Sequence, residues 1–173
     1  MGTHHMGRLR RILRHRWHDE RDASRALDAA ALARLEEQVV ASEQRHSGEI
    51  RICVEAGLPL SYLWRHAGAR ERAVTQFGKL RVWDTEHNNG VLIYLLLADR
   101  AIEIVADRGL APYAGAEHWR SLIGALGSAL RTGRFEQGLA QAVADVDALL
   151  VRHFPLAPGE ANPNQLPDRP VVG

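Results

Sequence analysis

The run Val91-Leu92-Ile93-Tyr94-Leu95-Leu96-Leu97 carries no charge, with Asn89-Gly90 in front and Ala98-Asp99-Arg100 behind. A short uncharged run between turn residues reads as a strand buried on both faces, which places it at the centre of a sheet covered by helices. Ile102-Glu103-Ile104-Val105-Ala106 follows after a short connection. Strands joined so closely pair antiparallel, because a parallel return needs a crossover of a dozen residues or more. Upstream, Ile50, Ile52 and Val54 alternate with Arg51 and Cys53 as a first strand. The stretch between it and Val91 has room for a helical crossover, so these two strands can be parallel neighbours.

Helical spacing surrounds these strands. Leu27, Ala31, Leu35 and Val39 recur on one face after Ser24, which is suited to an N-cap, and Ser47-Gly48 ends that helix. A second helix starts near Pro59 or Leu60 and uses Leu63, Ala67, Val74 and Phe77, with Gly68 as a weak point and Gly78 as its end. Trp119, Leu122, Ile123, Leu126 and Leu130 mark a helix over 117–131, and Leu139, Val143, Val146 and Leu150 mark another from Phe135 to His153. The order gives an α/β fold in which a mixed β-sheet, one parallel crossover plus one antiparallel hairpin, is sandwiched by α-helices. Residues 1–23 form a basic N-terminal segment whose first residues, Met1 to Met6, resemble a cloning leader. Residues 24–155 form the domain. Residues 156–173 form a proline-rich tail, in which Leu166, Val171 and Val172 are expected to pack while Leu156 to Asn164 stays loose.

The formal net charge of +1 gives no reason to expect a nucleic-acid partner. Arg8, Arg10, Arg11, Arg14 and Arg16 alternate with Leu9, Ile12, Leu13 and Trp17, a basic amphipathic pattern that fits peripheral contact with an anionic membrane or a helix packed on the domain. No uninterrupted apolar region follows these arginines as a signal peptide would require, and Val91–Leu97 falls far short of the ~20 residues of a membrane span. Cys53 is the single cysteine and cannot form an internal bridge. The expected location is cytoplasmic.

Asp84, Glu86, His87, Asn88 and Asn89 crowd the approach to the central strand. Their oxygen donors, with Asp107 after the third strand, are of the hard type that Ca²⁺ or Mg²⁺ takes. The same letters also describe a turn that exploits the tolerance of asparagine and glycine for positive φ, with solvated acids beside it. His87 is the candidate general acid or base, and Arg108 the candidate anion holder. A parallel first pair and an antiparallel hairpin bring the start of the central strand and the end of the third to one sheet end, so Asp84–Asn89 meets Asp107-Arg108. Arg100 falls at the other end, about 17 Å away. No His-Glu-x-x-His, Gly-x-Ser-x-Gly or Gly-x-x-x-x-Gly-Lys-Ser pattern occurs, which argues against a zinc protease, an elbow serine hydrolase or a phosphate-loop enzyme.

Several local words occur in a set order: Ser47-Gly48-Glu49-Ile50, Asn88-Asn89-Gly90-Val91-Leu92, Asp99-Arg100, Gly109-Leu110 and Gly133-Arg134-Phe135-Glu136-Gln137-Gly138. From about Leu27 to Phe154 the chain resembles the TPM domain family, also described as thylakoid acid phosphatase-like. The resemblance implies an α/β sandwich, divalent-cation binding in some members, phosphatase activity in one branch and accessory roles at membrane complexes in others. Family members read glycine-aromatic-glycine-leucine-glutamate after the third strand. Here the loop is Asp107-Arg108-Gly109-Leu110-Ala111, with its acid moved to the start. The expected role is a TPM-like binding or accessory module with an unidentified protein partner, without signal peptide or membrane anchor. The alternative is a metal-dependent phosphatase with Asp84, Glu86 and Asp107 on the metal and Arg108 on phosphate.

Overall fold

The computed structural model describes Leu13, His15, residues 25–162 and residues 166–173. The arginine-rich segment Arg8–Trp17, apart from Leu13 and His15, and the expected cap Ser24 lie outside the described residues. Helix α1 spans Ala29–Glu43 and is capped by Asp28, whose carboxylate accepts a hydrogen bond from the Ala31 amide at 2.7 Å. Its buried stripe of Ala31, Leu35 and Val39 follows the expected spacing. Strand β1 spans Ile50–Glu55. The helix expected after Pro59 is two helices, α2 (Leu60–Trp64) and α3 (Ala69–Lys79). The break falls where His66 takes a positive φ of 58° and Gly68 takes extended backbone as the cap of α3.

Strands β2 (Val91–Leu96) and β3 (Ala101–Ala106) form the expected hairpin, in register from Val91↔Ala106 to Leu96↔Ala101. β1 and β2 run parallel from Ile50↔Val91 to Glu55↔Leu96. Helices α4 (Ala116–Arg131) and α5 (Phe135–His153) follow. The chain ends in β4 (Val171–Val172), parallel to β1, giving the order β3-β2-β1-β4. No helix among the described residues is long and apolar enough to cross a membrane.

Alternation along the strands sorts two cores. Ile50, Ile52, Val54, Val91, Ile93, Leu95 and Ile104 pack with α1, α4 and α5. Cys53, Leu92, Tyr94, Leu96 and Val105 pack with residues of α2 and α3 and with Leu166 of the tail. All six residues of β1 are buried, so Arg51 and Glu55, which alternation alone would leave to solvent, lie inside. Glu55 is satisfied by three neighbours. Arg72 of α3 donates Nε at 2.8 Å and also Nη2, Gln76 Nε2 donates at 2.6 Å, and Tyr94 OH donates at 2.6 Å. Burial pushes the Glu55 carboxyl up, but the bonds from Arg72 and Tyr94 outweigh it and hold the group below the usual carboxylate range.

Removing one partner of a buried pair leaves an uncompensated charge, at a cost of about 3–5 kcal/mol. Glu55→Ala is therefore expected to lose stability on that scale in urea unfolding, while Glu55→Leu combined with Arg72→Met loses much less. A Glu55→Ala protein within 1 kcal/mol of wild type, by the ~1 kcal/mol scale of an ordinary hydrogen bond, would show that the network holds nothing.

Candidate metal centre

The loop before β2 and the loop after β3 meet through their backbones. The Gly109 amide donates to the Asn88 carbonyl at 2.9 Å, and the Asp107 amide donates to the Gly90 carbonyl at 2.9 Å. Gly109 is required by this approach, and Gly90 by the fold of the first loop on itself. A Cβ on Gly90 would stand 1.9 Å from the Val82 carbonyl oxygen, and one on Gly109 would stand 2.4 Å from that of His87. Asn88 sits at φ 52°, in the left-handed region that asparagine tolerates.

The side chains of these loops go separate ways. Asp84 pairs with Arg81 Nη2 at 2.8 Å on the surface, and Glu86, His87 and Arg108 are exposed. Asp107 caps the short 3-10 turn Arg108–Leu110, accepting from the Arg108 amide at 2.7 Å. Asn89 is fully buried, accepts nothing at Oδ1, donates Nδ2 to Ser47 Oγ at 3.2 Å and donates its backbone amide to Thr85 Oγ1 at 3.0 Å. Among the described residues, no three of Asp84, Glu86, His87 and Asp107 bring ligand atoms within 4.8 Å of one another.

Three other acids do converge within 4.8 Å: Glu43, Glu49 and Asp168. Glu43 is the last residue of α1 and is 3% exposed, and its Oε1 accepts from the Ile50 amide at 2.9 Å, tying the helix end to the start of β1. Glu49 precedes β1, is 1% exposed, and its carbonyl accepts from the Val91 amide at 2.9 Å. Asp168 comes from the tail, half-buried, three residues before β4. These acids lie at the β1–β2 end where Gly90 and Asn89 lie, because Ile50 stands beside Val91.

Arg51, 4% exposed, is within electrostatic reach of all three acids. All three carboxylates thus couple to this one guanidinium. Burial, reinforced by Glu49, pushes the Glu43 carboxyl up to about 9. Burial also lowers Arg51, against the pull of Asp168 and Glu43. Glu43 Oε2 and Arg51 Nε and Nη1 are buried with no hydrogen-bond partner. With a proton on Glu43, its carboxyl bonds to Asp168; with Glu43 ionised, Oε2 has no donor.

A second buried network lies close along the chain. Ser42 Oγ donates to Asp147 Oδ1 at 2.8 Å, which makes the His46 ring the donor to Ser42 Oγ, also at 2.8 Å. Burial lowers the His46 pKa to about 4, so the ring is neutral. Because the hydroxyl proton is committed to the carboxylate, Ser42 is not set up as a nucleophile. The network fastens α1 to α5 instead.

The converging acids were not among the residues expected from the sequence. One signal was available. Glu43 puts an acid in the last turn of a helix, where the macrodipole disfavours it. A second lay in β1, where Glu49, Arg51 and Glu55 fall on one face of a strand that has neighbours on both sides.

A folded pKa raised above the unfolded value gives stability that is present below about pH 4.5 and lost as pH rises towards 9. His46, at about 4 folded against 6.5 unfolded, titrates mostly below pH 7 and, being lowered on folding, adds stability rather than losing it as pH rises. In EDTA, stability is therefore expected to fall between pH 7 and 8.5, by up to ~1.4 kcal/mol per pH unit, and Glu43→Gln should flatten that fall. Thermal unfolding across the interval measures it, and equal slopes for the two proteins would remove Glu43 as the titrating group.

Residues 21–149 match the TPM domain. The fold is similar to the NMR structure of the BA42 protein from the psychrophilic bacterium Bizionia argentinensis, with TM-score 0.73 and 25% identity over 85% of this chain and 95% of that one. It is also similar to the solution NMR structure of the N-terminal domain of a P. gingivalis protein, with TM-score 0.60 and 20% identity over 76% and 83% of the two chains. No curated protein sequence matches. The family match over most of the domain, together with the strand order and the paired loops that carry the Asn-Asn-Gly and Gly-Leu words, establishes that the chain belongs to the TPM domain family.

Proposed function

We propose that this chain is a TPM-domain binding module that holds one divalent cation between Glu43, Glu49 and Asp168. The observation that carries the reading is the convergence of three carboxylates from three different elements within 4.8 Å, two of them almost fully buried. Acids gathered this closely and buried repel one another, as the raised Glu43 carboxyl shows, and a cation among them would relieve that repulsion. Carboxylate oxygen is the ligand type of Ca²⁺ and Mg²⁺. Ligands at the 2.3–2.6 Å of Ca²⁺ stand at most about 5 Å apart, whereas the 2.0–2.1 Å of Mg²⁺ allows about 4 Å. Ca²⁺, whose coordination is longer and more flexible, is the more tolerant of ligands drawn from three separate elements.

The phosphatase alternative requires His87 and Arg108 to face a phosphate held by Asp84, Glu86 and Asp107. Its support is the meeting of the two loops, while the binding reading has an assembled ligand set. Asn88 and Asn89 serve here as the turn that brings the loops together. An accessory module works through a protein partner, and Leu60 and Trp64, exposed one turn apart on α2, offer such a partner an apolar contact. Peripheral contact of Arg8–Trp17 with anionic lipid and a cytoplasmic setting belong to the same reading.

Titration of EDTA-treated protein with CaCl₂ and MgCl₂ tests the proposal. One Ca²⁺ per chain is expected, with stabilisation of about 2.7 kcal/mol when free cation stands at a hundred times Kd. Glu49→Gln should abolish binding while melting in EDTA no earlier than wild type. Neither heat nor a thermal shift at millimolar Ca²⁺ would remove the cation site.

A further inference from the structure

The third acid of the pocket comes from beyond the TPM match, which ends at residue 149. The tail first crosses the loop that follows α1. His46 and Pro155 form an antiparallel bridge, and Asn162 Nδ2 donates to the carbonyls of His46 at 3.0 Å and Gly48 at 3.2 Å. Leu166 then enters the core on the α3 side of the sheet, 7% exposed. Val171 and Val172 pair with Cys53 and Val54, the Gly173 amide donates to the Val54 carbonyl at 3.0 Å, and the Ala56 amide donates to the Gly173 carbonyl at 2.7 Å. Asp168 lies between the buried anchor and the two-residue strand.

We infer that cation occupancy of the acid pocket and docking of the C-terminal segment Leu166–Gly173 on β1 are coupled, with Asp168 as the link. This deepens the cation reading and rests on it. The acids alone would be a weak basis for a site. The second observation is that Glu43 Oε2 and two nitrogens of Arg51 are buried in the same cluster without hydrogen-bond partners. An oxygen left without a donor suits a cation. Arg51's unfilled N–H groups suit the water that such a cation keeps in its shell.

Glu43 and Glu49 stand on elements fixed by the domain core, the end of α1 and the start of β1. Asp168 stands on a short chain end whose holds on the domain include the buried Leu166, the two-residue strand and the Gly173 backbone bonds, a small footprint beside that of the core elements. A cation shared by all three therefore adds to the hold on the tail, and the docked tail adds a ligand to the cation. Reciprocity makes the two effects equal in size. The β1 edge, which the tail covers, is then most securely closed in the cation-loaded protein.

Amide exchange and calcium titration on the full chain test the coupling. Saturating Ca²⁺ is expected to slow exchange at Gly173 and Ala56 at least tenfold relative to EDTA. Asp168→Asn should remove that slowing and weaken Ca²⁺ binding at least tenfold. Leu166→Ser leaves all three acids in place but loosens the anchor, and it too should weaken Ca²⁺ binding, an effect that an independent tail would not produce. Ca²⁺ uptake by wild type with unchanged Gly173 exchange and undiminished affinity in Leu166→Ser would overturn the coupling and leave the cation reading standing. A wild-type chain that takes up no Ca²⁺ would end both.

Discussion

Burial of charge on strand β1 is the constraint from which the rest of the architecture follows. β1 lies inside the sheet with β2 on one side and β4 on the other, and helices cover both faces. Its apolar positions serve the core under α1, α4 and α5, so Arg51 and Glu55 are forced into the opposite core. Taking such groups out of water costs several kcal/mol each, whereas an exposed ion pair contributes about 0–1 kcal/mol. Surface pairs such as Arg34–Glu136 and Arg65–Glu71 are therefore secondary. The positions of α3 and of the tail are fixed by what β1 carries. α3 supplies Arg72 and Gln76 to Glu55, and the tail brings Asp168 within reach of Arg51.

The central hairpin was legible because its evidence is local. An uncharged run, a short connection and a second apolar run specify antiparallel pairing without reference to anything distant, and β2 and β3 form as read. The parallel pairing of β1 with β2 was legible through the length of the crossover. The division into α2 and α3 was foreshadowed by Gly68, but helical spacing on both sides carried the reading across it. The depth of β1 could not be read in the same way. Alternation puts Arg51, Cys53 and Glu55 on one face, which α2, α3 and Leu166 bury, and the edge of β1 is closed by a tail from the far end of the chain.

The candidate site divides along the same line. Topology brought the two loops to one sheet end, and the bond between Gly109 and Asn88 lies there. Side-chain direction was not available from topology. Asp84 turns to Arg81, three residues away, and Asp107 turns to its own capping bond, both local choices that compete with convergence. Glu43 and Glu49 flank the Ser47-Gly48 turn six residues apart, but Asp168 comes from the far end of the chain, so only the folded chain groups all three.

The two buried carboxylate centres, one at each end of β1, meet the same cost differently. Glu55 alone collects a guanidinium, an amide and a phenol. At the other end of the strand, Glu43, Glu49 and Asp168 share Arg51. Glu49 and Glu55 are six residues apart, about 20 Å along a strand. At that separation, with an effective dielectric constant of about 20, two unit charges interact by roughly 0.8 kcal/mol. Arg72 is thus too far to offset the acids at the pocket, where several kcal/mol of desolvation per ion must be met locally. A proton on Glu43 relieves part of that cost, and a cation among the three oxygens would relieve it without protonation.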